Sequence, residues 1–319
     1  MNHRPLGRSG LSIAPIMFGG NVFGWTADEA TSFSLLDAFV AEGFNAIDTA
    51  DVYSAWAPGH AGGESETVLG NWLKRRGKRD DVVIATKVGM WARHPDLKAA
   101  TIAAAVEESL MRLKTDHIDL YQSHQDDEKT PQDETLEAYS RLIKAGKVRA
   151  IGASNFSAAR LGSALDLAEA KSLPRYGDLP RYDSVQPAYN LYNRQEFEGD
   201  LAKVAIERGV GVISYFGLAA GFLTGKYRSE ADLAQSPRGA RVKAYLDERG
   251  FRILAALDAA SAELGATPAQ IALAWLIGRP GVTAPIVSAT NLDQLAEILK
   301  AARLSLPAEV VAKLDTASA

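Results

Sequence analysis

Eight short apolar runs alternate with amphipathic stretches along this chain, and each stretch is long enough to form a helix. An alternation of buried strands and helices is typical of an α/β fold with a parallel sheet. Eight repeats in a chain of 319 residues predict a (β/α)8 TIM barrel that forms a single domain over residues 1–319. The predicted strands are residues 13–18, 45–48, 82–87, 118–124, 150–154, 184–188, 211–215 and 284–287.

Capping residues mark where several of the intervening helices begin. Thr130 is followed by Pro131, and Thr267 by Pro268, which places a hydroxyl at the predicted N-cap and proline at the first helical position. An open doubly wound sheet is the alternative fold. It is disfavoured because the segment after the first run, Phe18-Gly19-Gly20-Asn21, lacks the glycine pattern of a dinucleotide-binding turn.

The composition excludes several classes of function. The net charge is −4 and the longest basic runs are short, which argues against a nucleic-acid partner. The chain has no cysteine, so disulfides, thiolate chemistry and cysteine-rich zinc sites are excluded. No apolar stretch approaches the ~20 residues that span a bilayer, and the first residues lack the apolar run of a signal peptide. We therefore expect a cytoplasmic protein without a membrane partner.

Four polar residues stand where predicted strands end. Asp48, Lys87 and His124 close the second, third and fourth runs, and Tyr53 follows Asp48 by five residues. The carboxyl ends of all strands in a barrel face one mouth, so these four side chains are expected to converge there. Alone, each has a simpler interpretation, as a loop cap, a surface aromatic, a lysine extending from a strand end or a core histidine. Their joint occurrence at successive strand ends favours catalysis.

These residue types suit proton transfer to a carbonyl oxygen. A tyrosine hydroxyl has an unperturbed pKa near 10, and a neighbouring ammonium such as Lys87 is expected to lower that pKa by roughly 1–3 units. Asp48 would hold the lysine in place, and His124 would orient a substrate oxygen. A proton donor of this kind leaves the electron pair to be supplied by a cofactor.

Motifs spread over nearly the whole chain resemble those of the aldo-keto reductases. They are L-G-R-S-G-L, N-A-I-D-T-A-D-V-Y, G-G-E-S-E, I-A-T-K, D-H-I-D-L-Y-Q-S-H, G-K-V-R-A-I-G-A-S-N-F, V-Q-P-A-Y-N and G-F-L-T-G-K-Y. The resemblance implies a (β/α)8 barrel that reversibly reduces aldehydes or ketones to alcohols with a nicotinamide cofactor and without a metal. It also implies that Tyr53 is the general acid, with Lys87, Asp48 and His124 in the supporting roles described above.

The resemblance further implies a set of cofactor contacts. The nicotinamide carboxamide would bind Ser154, Asn155 and Gln186, and the nicotinamide ring would stack on Tyr215. The loop that closes over the pyrophosphate would contain Leu218, Gly221 and Lys226. The segment that holds the adenosine end would contain Ser288, Thr290, Gln294 and Glu297. Ser154 with Asn155, and Thr290, could instead be helix caps, and Gln294 could serve either role.

The chain departs from the family pattern at two places that concern the cofactor. Phe216-Gly217-Leu218 replaces the Ser-Pro-Leu that often follows the seventh strand. Residues 288–298 contain no arginine or lysine, whereas many relatives that use NADPH carry one there. Arg238 is expected to supply the cation from a neighbouring loop. NADP(H) is therefore favoured, and NAD(H) is the alternative.

Tryptophans in three loops predict the character of the substrate. Trp25, Trp56 and Trp91 follow the first three predicted strands and belong to the same mouth, with His60 nearby. At least two of these tryptophans are expected to line a pocket for a hydrophobic or ring-shaped carbonyl or alcohol substrate. Anchoring of the loops is the alternative explanation. Trp72 and Trp275 lie on predicted helices and are expected to be core residues.

Three functions can be distinguished on these grounds. The first is a reductase, and the second is a regulatory subunit that binds a nicotinamide nucleotide with little turnover, because both would keep the four polar residues. The third, a metal-dependent lyase or hydrolase, is disfavoured because only His124 of the five histidines ends a strand. No sequence signal specifies an oligomeric state.

Overall fold

The computed structural model describes residues 2–170, 178–235 and 239–319, and in these ranges eight parallel strands close into a barrel. The predicted TIM barrel is confirmed, and the open sheet is wrong. A two-stranded hairpin formed by β1 (Arg4–Pro5) and β2 (Ser12–Ile13) precedes the barrel. The barrel strands are β3 (Met17–Gly19), β4 (Ala46–Asp48), β5 (Val83–Val88), β6 (Ile118–Ser123), β7 (Val148–Ser154), β8 (Tyr182–Gln186), β9 (Gly211–Ser214) and β10 (Val282–Val287).

Helices surround the barrel, and β10 closes it by pairing with both β9 and β3. No helix in the described ranges has both the length and the apolar character needed to cross a membrane. The helices are α1 (Glu29–Ala41), α2 (Glu64–Arg76), α3 (Ala99–Leu113), α4 (Gln132–Lys144), α5 (Ala158–Glu169), α6 (Asp200–Arg208), α7 (Gly239–Val242), α8 (Glu248–Leu264), α9 (Pro268–Ile277), α10 (Leu292–Lys300) and α11 (Ala308–Ser318).

The first predicted strand, residues 13–18, is divided in the structure. Ile13 belongs to the hairpin, and only the part from Met17 onward enters the barrel. Pro15 interrupts the run, since proline has no N–H to donate to a ladder. Leu6 and Ile13 join the apolar cluster inside the barrel, so the hairpin covers the amino-terminal end of the strands. The carboxyl-terminal end is left as the mouth.

Strand residues alternate between the barrel interior and the layer beneath the helices. On β5, Ala85 belongs to the interior cluster, and Val88 packs in the outer core. This alternation places Lys87 inside the barrel and Thr86 against the helices. Trp72 and Trp275 are 0% and 1% exposed, as expected of core residues.

The two predicted proline-marked helix starts have different outcomes. Thr267 forms the expected capping box, because its hydroxyl accepts from the Gln270 N–H and the Gln270 side chain accepts from the Thr267 N–H. Thr130 is not an N-cap. Helix α4 begins at Gln132, and the Thr130 hydroxyl instead donates to Asp127 Oδ2 at 2.6 Å. The Asp127 carboxylate thus takes the Thr130 hydroxyl into the turn before α4, and the hydroxyl does not cap the helix.

Candidate active site

The four polar residues predicted from strand ends meet at the mouth, with the Lys87 ammonium at their centre. Lys87 Nζ donates to Asp48 Oδ2 at 2.6 Å, to the Tyr53 hydroxyl at 2.8 Å and to the Thr49 carbonyl at 2.8 Å. The Tyr53 hydroxyl in turn donates to Asp48 Oδ2 at 3.2 Å. Lys87 and Asp48 are fully buried, and the three acceptors together satisfy all three N–H groups of the desolvated ammonium.

Two buried amides hold the other oxygen of Asp48. Gln122 Nε2 and Gln186 Nε2 lie 3.2 and 3.0 Å from Asp48 Oδ1, and Gln186 also donates to Gln122 Oε1 at 3.1 Å. Gln122 was not predicted as a site residue. The sequence feature that could have indicated it is its polar side chain at an inward-facing position, two residues after Leu120 and close to the mouth. These amides fix the carboxylate that positions Lys87.

Hydroxyl groups anchor the loop that carries Tyr53. Thr49 Oγ1 and Ser65 Oγ are 2.7 Å apart, and Ser65 donates to the Gly20 carbonyl at 2.7 Å. Ser54 adopts a positive φ of 73° and donates to a loop carbonyl at 2.8 Å. These contacts tie the Tyr53 loop to α2 and to the segment after β3, which limits the positions open to the phenol.

The net shift in the pKa of Tyr53 in this structure is opposite to the predicted one. Burial and the neighbouring Asp48 carboxylate raise the pKa of Tyr53 well above its usual value of 10. Burial disfavours the phenolate, and Asp48 adds to this effect because it is an anion that accepts the hydrogen bond of the neutral phenol. Tyr53 therefore carries its proton at neutral pH.

His124 lies beside Tyr53 as a buried neutral imidazole. The ring centroids are 5.9 Å apart, and His124 is 8% exposed. Burial, together with the charge of Lys87, lowers the pKa of His124 well below 6.5. Within the described residues its Nδ1 has no hydrogen-bond partner. A neutral imidazole can donate one N–H to a substrate oxygen.

The residues predicted to bind the nicotinamide end lie together next to His124. Asn155, at a positive φ of 56°, donates to the His124 carbonyl at 2.9 Å and accepts from the Tyr215 hydroxyl at 2.8 Å. Ser154 Oγ donates to the Gln186 carbonyl at 3.0 Å. The alternative that Ser154 and Asn155 cap α5 is wrong, because Ser157 is the N-cap.

The loop after β9 has an unusual backbone. Phe216, Ala219 and Ala220 all have positive φ, at 57°, 48° and 56°, and Gly221 follows at 102°. A non-glycine residue in this region costs roughly 1–2 kcal/mol, and such strain concentrates at binding loops. Leu218 and Gly221 thus lie in a strained turn, and a turn of this kind is typical of a loop that encloses a ligand. Lys226 is exposed at its end, with Nζ 5.0 Å from the Tyr227 ring centroid.

The residues predicted for the adenosine end make contacts within the protein. Ser288 Oγ donates to the Gly19 carbonyl at 2.7 Å and lies 2.6 Å from Asn21 Oδ1. Glu297 Oε1 accepts from the Thr267 hydroxyl at 2.7 Å, which joins α10 to the start of α9. Arg238 lies outside the described residues.

The start of α10 is capped by Asn291, so Thr290 is not the cap. Asn291 Oδ1 accepts from the Gln294 N–H at 2.9 Å. The Gln294 side chain accepts from both the N–H and the hydroxyl of Thr290, at 3.0 Å each. The role of Gln294 in local structure is therefore clear, whether or not it also contacts a ligand.

The three loop tryptophans separate into two groups. Trp56 is 45% exposed, and its ring makes edge contacts with Trp25 at 5.7 Å and with Tyr53 at 5.9 Å. Trp91 instead donates its indole N–H to the Ala61 carbonyl at 3.1 Å and packs against His94. Loop anchoring accounts for Trp91, whereas Trp25 and Trp56 form an aromatic wall next to the phenol.

His60 belongs to the same loop as Trp56. It is partly exposed, and its Nδ1 is buried and has no hydrogen-bond partner within the residues that the structure covers. The described part of the chain holds no group of three or more histidine, cysteine, aspartate or glutamate side chains placed to bind an ion.

Known proteins resemble this chain over nearly its whole length. The family model described as the aldo/keto reductase family matches residues 15–319. The uncharacterized oxidoreductase YrpG of Bacillus subtilis is 35% identical, over 99% of this chain and 95% of its own. The aldo-keto reductase YhdN of Bacillus subtilis is 32% identical over 90% and 83%. A probable voltage-gated potassium channel subunit beta of Arabidopsis thaliana is 31% identical over 94% and 91%.

Proposed function

The chain belongs to the aldo/keto reductase family, and from this premise we propose that it reversibly reduces aldehydes or ketones to alcohols with a nicotinamide cofactor. The observation that carries the proposal is the Lys87 ammonium, which contacts the Tyr53 hydroxyl at 2.8 Å while held by buried Asp48 at 2.6 Å. That geometry supports the assignment of Tyr53 as a proton donor, because Lys87 would stabilise the phenolate that proton transfer leaves.

Tyr53 is the general acid in this reaction. When bound, the cofactor supplies a hydride to the carbonyl carbon, and Tyr53 gives its proton to the carbonyl oxygen. An alkoxide is far more basic than a phenolate, so a phenol with a raised pKa is still acidic enough for this transfer. The proton moves from the Tyr53–Asp48 hydrogen bond to the substrate, and the Lys87 charge stabilises the phenolate that remains.

His124 orients the substrate in this proposal. Its pKa lies well below 6.5, so the ring stays neutral at physiological pH and offers a single N–H to the carbonyl oxygen. The ring lies beside Tyr53, which would direct both groups to the same oxygen. The aromatic wall of Trp25 and Trp56 favours a hydrophobic or ring-shaped carbonyl substrate.

The residues present fit a nicotinamide cofactor. Ser154, Asn155 and Gln186 supply the hydroxyl and amide groups that a carboxamide needs, and Tyr215 is tied to Asn155 by its hydroxyl. The strained turn after β9 suits a loop that closes on the pyrophosphate. We favour NADP(H), for which exposed Lys226, together with Arg238, would supply positive charge; NAD(H) is the alternative.

Turnover with a defined cofactor tests the proposal. NADPH and NADH should be titrated separately, and their oxidation followed with a panel of aromatic and aliphatic aldehydes and ketones. We expect steady-state turnover, with a lower Kd for NADPH. Tight cofactor binding without turnover would instead favour a regulatory subunit, the alternative suggested by the relative named as a channel subunit. If neither cofactor binds, the proposed function is wrong.

A further inference from the structure

A second buried aspartate lies in the same loop as the proton donor. Asp51 is in the loop between β4 and α2, two residues before Tyr53, and it is 0% exposed. Its N–H donates to the Lys87 carbonyl at 3.3 Å. Among the residues that the structure describes, neither carboxyl oxygen of Asp51 accepts a well-formed hydrogen bond, and the adjacent Val52 N–H lowers the pKa of this carboxyl less than burial raises it. A fully buried carboxyl with so little support from donors is costly as an anion.

The Asp51 carboxyl lies near a buried ion pair on the outer side of the barrel wall. Glu66 of α2 is 0% exposed and accepts from Arg112 Nε of α3 at 2.7 Å. Glu66 also accepts from the hydroxyl of Thr86 at 2.5 Å. Thr86 precedes Lys87 on β5, so one strand separates this ion pair from the Lys87–Asp48 pair.

The charges in this region balance only when Asp51 is neutral. Lys87 is paired with Asp48, and Arg112 with Glu66. An ionised Asp51 would add a third buried carboxylate to two cations. Accordingly, burial and the charge of Glu66 raise the pKa of Asp51 to about 8, although Arg112 and Lys87 act in the opposite direction. The titratable and charged groups that interact with Asp51 are Glu66 from α2, Lys87 from β5, Arg112 from α3, Tyr121 from β6 and Tyr139 from α4.

We propose that Asp51 is a positioning residue for the proton donor: it is held neutral in the barrel wall beside the strand that carries Lys87, and its ionisation slows proton transfer from Tyr53. This inference rests on the proposed reductase function. A neutral Asp51 leaves the ammonium free to stabilise the phenolate and the negative charge that develops on the substrate oxygen. An ionised Asp51 offsets part of that positive charge, which destabilises both anions.

The pH dependence of kcat for carbonyl reduction tests the inference. In the parent enzyme, kcat should fall as the pH rises through about 8. Asp51→Asn keeps the shape of the side chain and is neutral at every pH, so the part of the fall in kcat that comes from Asp51 should disappear. The ratio of variant to parent kcat should then rise by roughly tenfold between pH 6 and pH 9.5, which corresponds to a pKa change of about one unit in the proton donor.

The direction of the change in kcat at high pH distinguishes the proposed role from one in which Asp51 only keeps Lys87 charged. If Asp51 were ionised at neutral pH and simply kept Lys87 charged, removing it would lower the pKa of Lys87. The alkaline fall in kcat would then shift to lower pH, and the variant would be slower than the parent at pH 9.5. Either that shift or an unchanged profile would overturn the inference.

Asp183 provides a matched control at the other end of the barrel. It lies near the start of β8, and burial raises the pKa of its carboxyl as well. Its Oδ1 also has no hydrogen-bond partner within the described residues. Asp183→Asn should leave the pH profile of kcat unchanged. A change equal to that of Asp51→Asn would mean that any buried carboxyl has this effect, and would overturn the specific role of Asp51.

Thermal unfolding tests the neutral state of Asp51 without any substrate. An aspartate titrates near pH 3.9 in the unfolded chain, so between about pH 4 and pH 8 only the unfolded state releases this proton, and stability falls as pH rises. The Tm of Asp51→Asn should therefore increase relative to the parent from pH 5 to pH 8. A constant difference would overturn the inference. Absence of turnover would count instead against the proposed function.

Discussion

The two ends of the barrel both bury an aspartate against a basic side chain, but they use it differently. At the amino-terminal end, Asp119 accepts from Arg79 at 2.6 Å, from Arg149 at 3.0 Å and from the N–H of Ile84 at 2.9 Å. At the mouth, Asp48 accepts from Lys87, which also reaches the Tyr53 hydroxyl. The first aspartate connects elements of the barrel wall, whereas the second holds an ammonium that also contacts the hydroxyl proposed to donate the proton.

The difference shows how one fold separates stability from chemistry. The contacts of Asp119 connect strands and loops at the closed end, where the hairpin covers the barrel. At the mouth, His124 Nδ1 and the Asp51 carboxyl have no hydrogen-bond partner within the described ranges. Such groups also occur at the closed end, where Asp183 Oδ1 has no hydrogen-bond partner within the described residues, so the mouth is distinguished by the contact of the Tyr53 hydroxyl with a buried ammonium.

The largest expected effect is the loss of the proton donor at the mouth. Tyr53→Phe should lower kcat by about 10³-fold, because general acid catalysis typically contributes 10²–10⁴-fold. The Kd of the cofactor, measured by fluorescence titration, should remain close to that of the parent. Tyr189→Phe is the matched control, since that hydroxyl donates to Glu198 and not to the site. Comparable turnover in Tyr53→Phe and the parent would rule out the assigned acid.

At the closed end we expect a substitution to lower stability and leave kcat unchanged. Asp119→Asn removes the charge from a 1% exposed carboxylate and leaves Arg79 without its buried partner. We expect a loss of about 3 kcal/mol in the free energy of unfolding. Urea denaturation measures this loss, and kcat at a temperature where the variant is folded should be unchanged. A large fall in kcat without a loss of stability would show that the two ends are not separate.

A smaller effect is expected at the aromatic wall. Trp56→Ala removes a half-exposed ring that packs against Tyr53 and Trp25, and it should raise the KM for an aromatic carbonyl by about tenfold. Trp91→Ala should change KM much less, because that ring anchors the loop at Ala61. Equal effects on KM, or none, would argue against the assignment of Trp25 and Trp56 to the substrate.

The smallest expected effect concerns the pH dependence of stability. The folded pKa of His124 is depressed, so below pH 6.5 the unfolded chain binds a proton that the folded state does not. The contribution of His124 to stability is therefore complete above 6.5 and falls by about 1.4 kcal/mol for each pH unit below it. His124→Gln should lose less stability than the parent between pH 7 and pH 5.5 in thermal unfolding. An identical loss would mean that His124 is protonated in the folded protein.

Much of the fold and the site could be predicted because both follow local patterns. Asp48, Lys87 and His124 were predicted from the ends of apolar runs, and the barrel brings them together because its parallel strands all end at one mouth. The first strand breaks at Pro15 because proline has no N–H to donate, and Thr130 is not a cap because its hydroxyl donates to Asp127 instead. Gln122 was not predicted because a single polar residue inside a strand does not indicate which group it will contact.

The alternation of strands and helices, the residues at the strand ends and the family can all be recognised in the sequence alone. Which charged groups lie close together depends on how distant segments pack. Burial and the neighbouring Asp48 carboxylate raise the pKa of Tyr53, and burial and the charge of Glu66 raise the pKa of Asp51. Electrostatic effects depend on distance and burial, and these are set by strands and helices far apart in the chain.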